Sequence, residues 1–181
     1  RTSGPAERPG RETGSAQEEG RKSHPGGGRG RLYVVGIGPG DVRQLTLQAR
    51  EVLEECEVLV GYETYMALIE SLIRPDQVVI RYGMGQEVER GRQAVSLARE
   101  GKKVALISSG DAGVYGMAGL AYELARDSHL IEIIPGVSCV NAAAAALGAP
   151  LMQDFAVISL SDLLIPWEDI QQRLELAAQG N

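Results

Sequence analysis

From residue 31 onward, short and mostly apolar runs alternate with longer stretches whose apolar positions recur every three or four residues. The short runs are Leu32–Ile37, Val58-Leu59-Val60, Val78-Val79-Ile80, Val104–Ile107, Leu130–Ile134 and Phe155–Leu160. Runs of this length that are apolar on both faces read as strands covered on both sides, the signature of a parallel sheet. The longer stretches predict helices over Thr46–Cys56, Thr64–Ile73, Gln86–Glu100, Met117–Arg126, Ser138–Leu147 and Pro166–Ala178. Thr46 and Ser138 are suited to cap the helices they open. Pro75 lies just beyond the second helix, and Gly101 stops the charged surface helix before it. Pro166 opens the last helix at its first turn. The alanine-rich stretch Ser138–Leu147 is expected to be tightly packed. Strands alternating with helices predict an α/β fold around a mainly parallel, doubly wound sheet. No internal repeat is visible.

Ligands of such sheets sit beyond the carboxyl ends of the strands, so the loops there carry the candidate chemistry. The most informative is Ser108-Ser109-Gly110-Asp111-Ala112-Gly113-Val114-Tyr115-Gly116-Met117, small residues with a single acid after a strand. The others are Gly36–Asp41, Pro135–Cys139 and Ser159–Asp162. The first of these has the look of a dinucleotide fingerprint and fails its physical test. Its third glycine comes one residue early, Pro39 interrupts, and the helix begins only near Thr46. A pyrophosphate would therefore not meet a helix N-terminus. This argues against a dinucleotide-dependent oxidoreductase.

The first thirty residues change the picture at one end. They hold no Val, Ile, Leu, Met or aromatic residue and carry six basic and four acidic side chains. Such a segment is expected to be a disordered linker or tail, joined to an upstream fused domain. The chain has 181 residues and a net charge of −6, of which −8 falls on residues 31–181. That balance argues against nucleic acid as a partner. No apolar run reaches membrane-spanning length, and Cys56 and Cys139 lack metal-ligand spacing. A cytoplasmic protein with no membrane association and no bound metal is expected. Both ends read as cuts from a longer polypeptide.

Three motifs in order, Val35-Gly36-Ile37-Gly38-Pro39-Gly40-Asp41, Ser109-Gly110-Asp111 with Tyr115-Gly116, and Pro135-Gly136-Val137-Ser138, resemble the successive motifs of the tetrapyrrole methylases. These are S-adenosylmethionine-dependent enzymes of corrinoid and sirohaem biosynthesis. Further stretches are similar to the members that methylate carbon 17 of precorrin-3B or its cobalt-bearing anaerobic counterpart. They are Gly61–Tyr65, Tyr82–Glu87, Asn141–Ala145 and Ile158–Leu164 with Pro166-Trp167. The resemblance implies a methylase domain over residues 31–152 and the beginning of a second α/β domain over 153–181. It also implies a homodimer.

By the same resemblance, the cofactor S-adenosylmethionine would be held by Pro39, Ser109, Gly110, Asp111, Val114, Ser138 and Cys139. The substrate would be a tetrapyrrole, methylated at carbon 17 with contraction of the ring. Tyr62 and Tyr82 stand at strand ends where relatives place acid–base residues, and Asp41 is a further candidate for proton movement. Competing roles are wall packing for the tyrosines, turn capping for Asp41 and bracing of the glycine loop for Asp111. The alternatives are another tetrapyrrole methylase of the corrin or sirohaem pathway, a non-catalytic lobe, and relatives that methylate RNA or a translation factor.

Overall fold

The computed structural model describes residues 30–163 and 165–180. The tail expected before residue 30 lies outside them. Five strands form one sheet: β1 (Arg31–Gly36), β2 (Val58–Tyr62), β3 (Val78–Tyr82), β4 (Lys103–Ser108) and β5 (Ile131–Ile134). Their order is β3-β2-β4-β1-β5, and every pairing is parallel. The helices are α1 (Leu47–Glu55), α2 (Glu63–Leu68), α3 (Glu87–Arg99), α4 (Ala118–Ala125), α5 (Cys139–Leu147) and α6 (Trp167–Gln179).

The order follows from chain handedness. From β1 to β3 the chain steps one way across the sheet, and from β3 to β5 it steps back the other way. Right-handed crossovers then put α1 and α2 on one face and α3 and α4 on the other. The two cores agree. Leu32, Val34, Val104 and Leu106 face Ala94, Val95 and Ala98 of α3 and Ala118, Ala121 and Ala125 of α4. Val35, Ala105 and Ile107 face Ala49 and Leu53 of α1 and Met66 of α2. Alternate residues of one strand thus serve opposite layers. Connections leave β1 and β4 toward opposite faces, so a crevice opens at their carboxyl ends, the place where ligands of such sheets bind.

Three expectations are corrected. Phe155–Leu160 is not a strand: it has no ladder partner and runs as irregular chain. Strand geometry needs a neighbour to take its backbone hydrogen bonds, and β3 and β5 end the sheet without it. The alanine-rich α5 is not tightly packed, since it has no buried residue. Short side chains permit close approach only when another element lies against them, and on α5 no more than Val140, Ala142 and Ala144 are even half-buried. The predicted helix Thr64–Ile73 divides into α2 and a 3-10 turn over Glu70–Leu72, because Ile69 leaves helical geometry at φ −109°, ψ 11°.

Candidate functional site

Three loops leave the carboxyl ends of β1, β4 and β5, and their backbones meet. Gly38 and Gly110 exchange two hydrogen bonds, Gly38 N–H to Gly110 O at 3.0 Å and Gly110 N–H to Gly38 O at 2.8 Å. A Cβ on Gly36 would stand 2.7 Å from both Gly110 O and Gly136 N. A Cβ on Gly136 would run into Gly110 O and stand 2.6 Å from Gly36 O. Gly110 itself has φ +60°. The small residues of the motifs therefore let three backbones touch, and only glycine fits.

Asp111 locks the seam. One carboxylate oxygen accepts from Gly113 N–H at 2.8 Å and the other from Gly136 N–H at 3.0 Å. Both oxygens thus serve the loops, which is the bracing role weighed above. Ser138 Oγ accepts from Val140 N–H at 3.3 Å and caps α5. Thr46 Oγ1 accepts from Ala49 N–H at 3.1 Å to cap α1, and donates to Pro135 O at 3.2 Å.

Above this seam lies a cleft of about 800 Å³. The β4 loop supplies Ser109, Gly110, Asp111, Val114 and Tyr115, and the start of α5 supplies Ser138 and Cys139. Tyr65 of α2, Glu87 and Arg90 of α3 and Met117 at the start of α4 complete its lining. Val157, Ile158 and Ser159 come from the irregular segment. Tyr115 holds that segment in place. Its hydroxyl donates to Val157 O at 2.9 Å and accepts from Ser159 N–H at 3.2 Å. Tyr115 does so from the left-handed region, φ +53°. A bulky residue held there stores strain of about 1–3 kcal/mol, a feature that clusters at binding sites.

A family profile, that of the Tetrapyrrole (Corrin/Porphyrin) Methylases, matches residues 31–180. The chain belongs to the tetrapyrrole methylases. Among relatives of this methylase, the cobalt-factor III methyltransferase of Priestia megaterium is 48% identical over 160 residues, covering 84% of this chain and 29% of that protein. A probable cobalt-factor III C(17)-methyltransferase of Salmonella typhimurium is 49% identical over 153 residues, covering 83% of this chain and 63% of that protein. The methyltransferase CobJ superposes with a TM-score of 0.77 at 38% identity, covering 83% of this chain and 64% of that one. A uroporphyrin-III C-methyl transferase from Thermus thermophilus, complexed with S-adenyl homocysteine, superposes with a TM-score of 0.51 at 30% identity, covering 68% and 50%. The methylase chain thus spans less than two thirds of each of these proteins.

In the methylase fold, Ser109, Gly110, Asp111, Val114, Ser138 and Cys139 come together on one cleft. Pro39 stands off its lining, on the β1 loop tied to it through Gly38. Asp41 also lies outside. It caps the 3-10 turn at Val42–Gln44 and pairs with Arg43 at 2.6 Å. That hydrogen-bonded guanidinium holds the Asp41 carboxyl below the usual carboxylate range. Tyr62 and Tyr82 end β2 and β3 in matched register, side by side and outside the cleft lining. Tyr62 reaches the cleft through Tyr65, edge-on at 5.1 Å.

Tyr65, Glu87, Arg90, Tyr115 and Met117 were not singled out from the sequence as site residues. A signal existed for Arg90. It occupies the position of α3 one turn before Ala94 and two before Ala98, where the buried stripe calls for an apolar residue.

Proposed function

We propose that this chain forms the donor-binding part of an S-adenosylmethionine-dependent C-methyltransferase of corrin biosynthesis, acting at carbon 17 of cobalt-factor III or precorrin-3B with contraction of the ring. The observation that carries the reading is the convergence of Ser109, Gly110, Asp111, Val114, Ser138 and Cys139 on one cleft at the switch point of a methylase sheet. Its support from relatives is their naming as cobalt-factor III methyltransferases. The S-adenyl homocysteine in a structural neighbour supports the donor.

The cleft suits such a donor. It offers a close-packed backbone floor at Ser109 and Gly110, apolar walls at Val114 and Met117, and polar groups at its rim. The bound sulfonium supplies an already activated methyl, so this chain's residues have to orient the reactants and exclude water. The seam of glycines fixes the backbone at Gly110, and the Tyr115 tether brings Val157 and Ser159 over the cleft. For proton movement during ring contraction we assign Tyr62 and Tyr82, neighbouring phenols at strand ends. Asp41 is the third candidate, and its pairing with Arg43 keeps it ionised while weakening it as a base.

The reading extends to organisation: residues 31–152 as the first methylase domain and 153–181 as the beginning of a second. We place the protein in the cytoplasm as a homodimer, fused in some relatives to other domains of the pathway. Among the described residues, no helix is long and apolar enough to cross a membrane.

Calorimetric titration with S-adenosylhomocysteine, with NADH as control, tests the proposal. Binding of the thioether alone, followed by addition of one methyl to cobalt-factor III, is the expected result. Failure of a folded protein to bind the thioether overturns it.

A further inference from the structure

The Arg90 side chain is 5% exposed, and its guanidinium lacks the partners that buried arginines normally have. Among the described residues, Nε and Nη1 meet no acceptor. Nη2 makes two long contacts, one with Glu87 Oε1 at 3.4 Å and one with Met117 Sδ at 3.4 Å. Other arginines here behave differently. Arg99 donates to Ala125 O at 2.8 Å, and Arg74 and Arg31 pair with carboxylates at 2.9 Å. A buried, under-partnered cation is unfavourable for the fold by itself. It also occupies a face of α3 that is otherwise alanine and valine.

Its place explains it. Arg90 lines the cleft and is the one cation among the lining residues. Of the two acids there, Asp111 has both oxygens committed to backbone N–H groups. Glu87 is half exposed and free to turn to solvent. Met117, unbranched and flexible, is the wall residue beside Nη2 that can yield. A planar guanidinium with open N–H groups matches a carboxylate in fork geometry.

We propose that Arg90 is an anion-recognition residue of the cleft, binding a carboxylate of the ligand. The inference rests on the methyltransferase reading above. That chemistry has two sources: the amino-acid carboxylate of the methyl donor and the carboxylate arms of the macrocycle.

The test compares the full protein with Arg90→Met and Arg90→Lys by thermal melting and by titration with three probes. These are S-adenosylhomocysteine, its carboxamide, and cobalt-factor III. Arg90→Met is expected to keep or raise Tm while weakening one carboxylate ligand by about a hundredfold, as truncation of a buried charge partner does. Loss confined to S-adenosylhomocysteine, with its carboxamide bound equally by both proteins, assigns the donor. Loss confined to cobalt-factor III assigns the macrocycle. A folded Arg90→Met that binds both carboxylate ligands as wild type does overturns the proposal. Should Arg90→Met not fold, Arg90→Lys decides: a lysine lacks the fork, so undiminished affinity for both ligands overturns it as well. A wild-type protein that binds neither ligand overturns the methyltransferase reading itself, which separates the two failures.

Discussion

Individual residues of this chain do their work through space they leave empty or protons they keep. Gly136 is the clearest case, because a methyl group there would collide with backbone oxygens of two other loops. Backbone cannot step aside as a flexible side chain can. Gly136→Ala is therefore expected to lower stability by about 1–3 kcal/mol or more and to weaken donor binding with it. Melting and titration of the same sample check both. Gly119 has open space around its Cβ position, so Gly119→Ala, in a helix, is the control expected to leave Tm unchanged or higher. Cys56 shows the proton case. Burial pushes its thiol up to about 12 from an ordinary 9.0. The unfolded chain ionises this thiol first. The stability it contributes is complete below the ordinary value and is lost as pH rises toward the folded one. Tm measured upward from about pH 8 should fall more steeply for wild type than for Cys56→Ala, and equal slopes would refute the assignment.

At the scale of elements, the informative piece is the one that failed to become a strand. Residues 155–160 have strand composition but no neighbour, so Tyr115 supplies the contacts a ladder would have supplied. Tyr115→Phe removes both hydrogen bonds and keeps the ring. Amide exchange at Ser159 should accelerate by roughly two- to tenfold, the effect of a modest hydrogen bond. The global Tm should hardly move, since no core residue is touched. A large drop in Tm would mean the segment is part of the cooperative core. The same element shows where sequence reading reaches its limit. Apolar runs place a strand by burial, and pairing is decided by what lies alongside. The central strands β1, β2 and β4 are legible because both faces are covered and their runs are largely apolar, while the edge strands β3 and β5 carry Arg81 and Glu132 and still pair. α5 misleads for a related reason: alanine is as compatible with an open face as with a close-packed one.

For the whole molecule, handedness converts a list of strands into a site. Once the order β3-β2-β4-β1-β5 is set, the crevice over β4 and β1 is determined, and the loops that looked chemical in the sequence are those that border it. Six of the seven cofactor candidates from motif resemblance line the cleft. Motif glycines mark close backbone approach, which local sequence records. Tyr65 from α2 and Glu87 and Arg90 from α3 reach the same cleft from opposite faces of the sheet. Their presence depends on how α2 and α3 are laid across the sheet, information spread over the whole chain. Tyr62 and Tyr82 sit at strand ends as expected, yet being at a strand end differs from facing its cleft, and Asp41 lies beyond β1 as the cap of a 3-10 turn.

The glycine seam has a consequence for folding as well as for binding. Residues 36, 110 and 136 are distant in the chain, and the floor they make exists only when β1, β4 and β5 are all paired. No form in which one of these three strands is unpaired can present this floor, so a ligand resting on it binds only states that keep β4, β1 and β5 together. Occupancy of the cleft will then oppose every opening that separates these strands and leave the β3 edge free to open without it, so a bound ligand protects one half of the sheet more than the other.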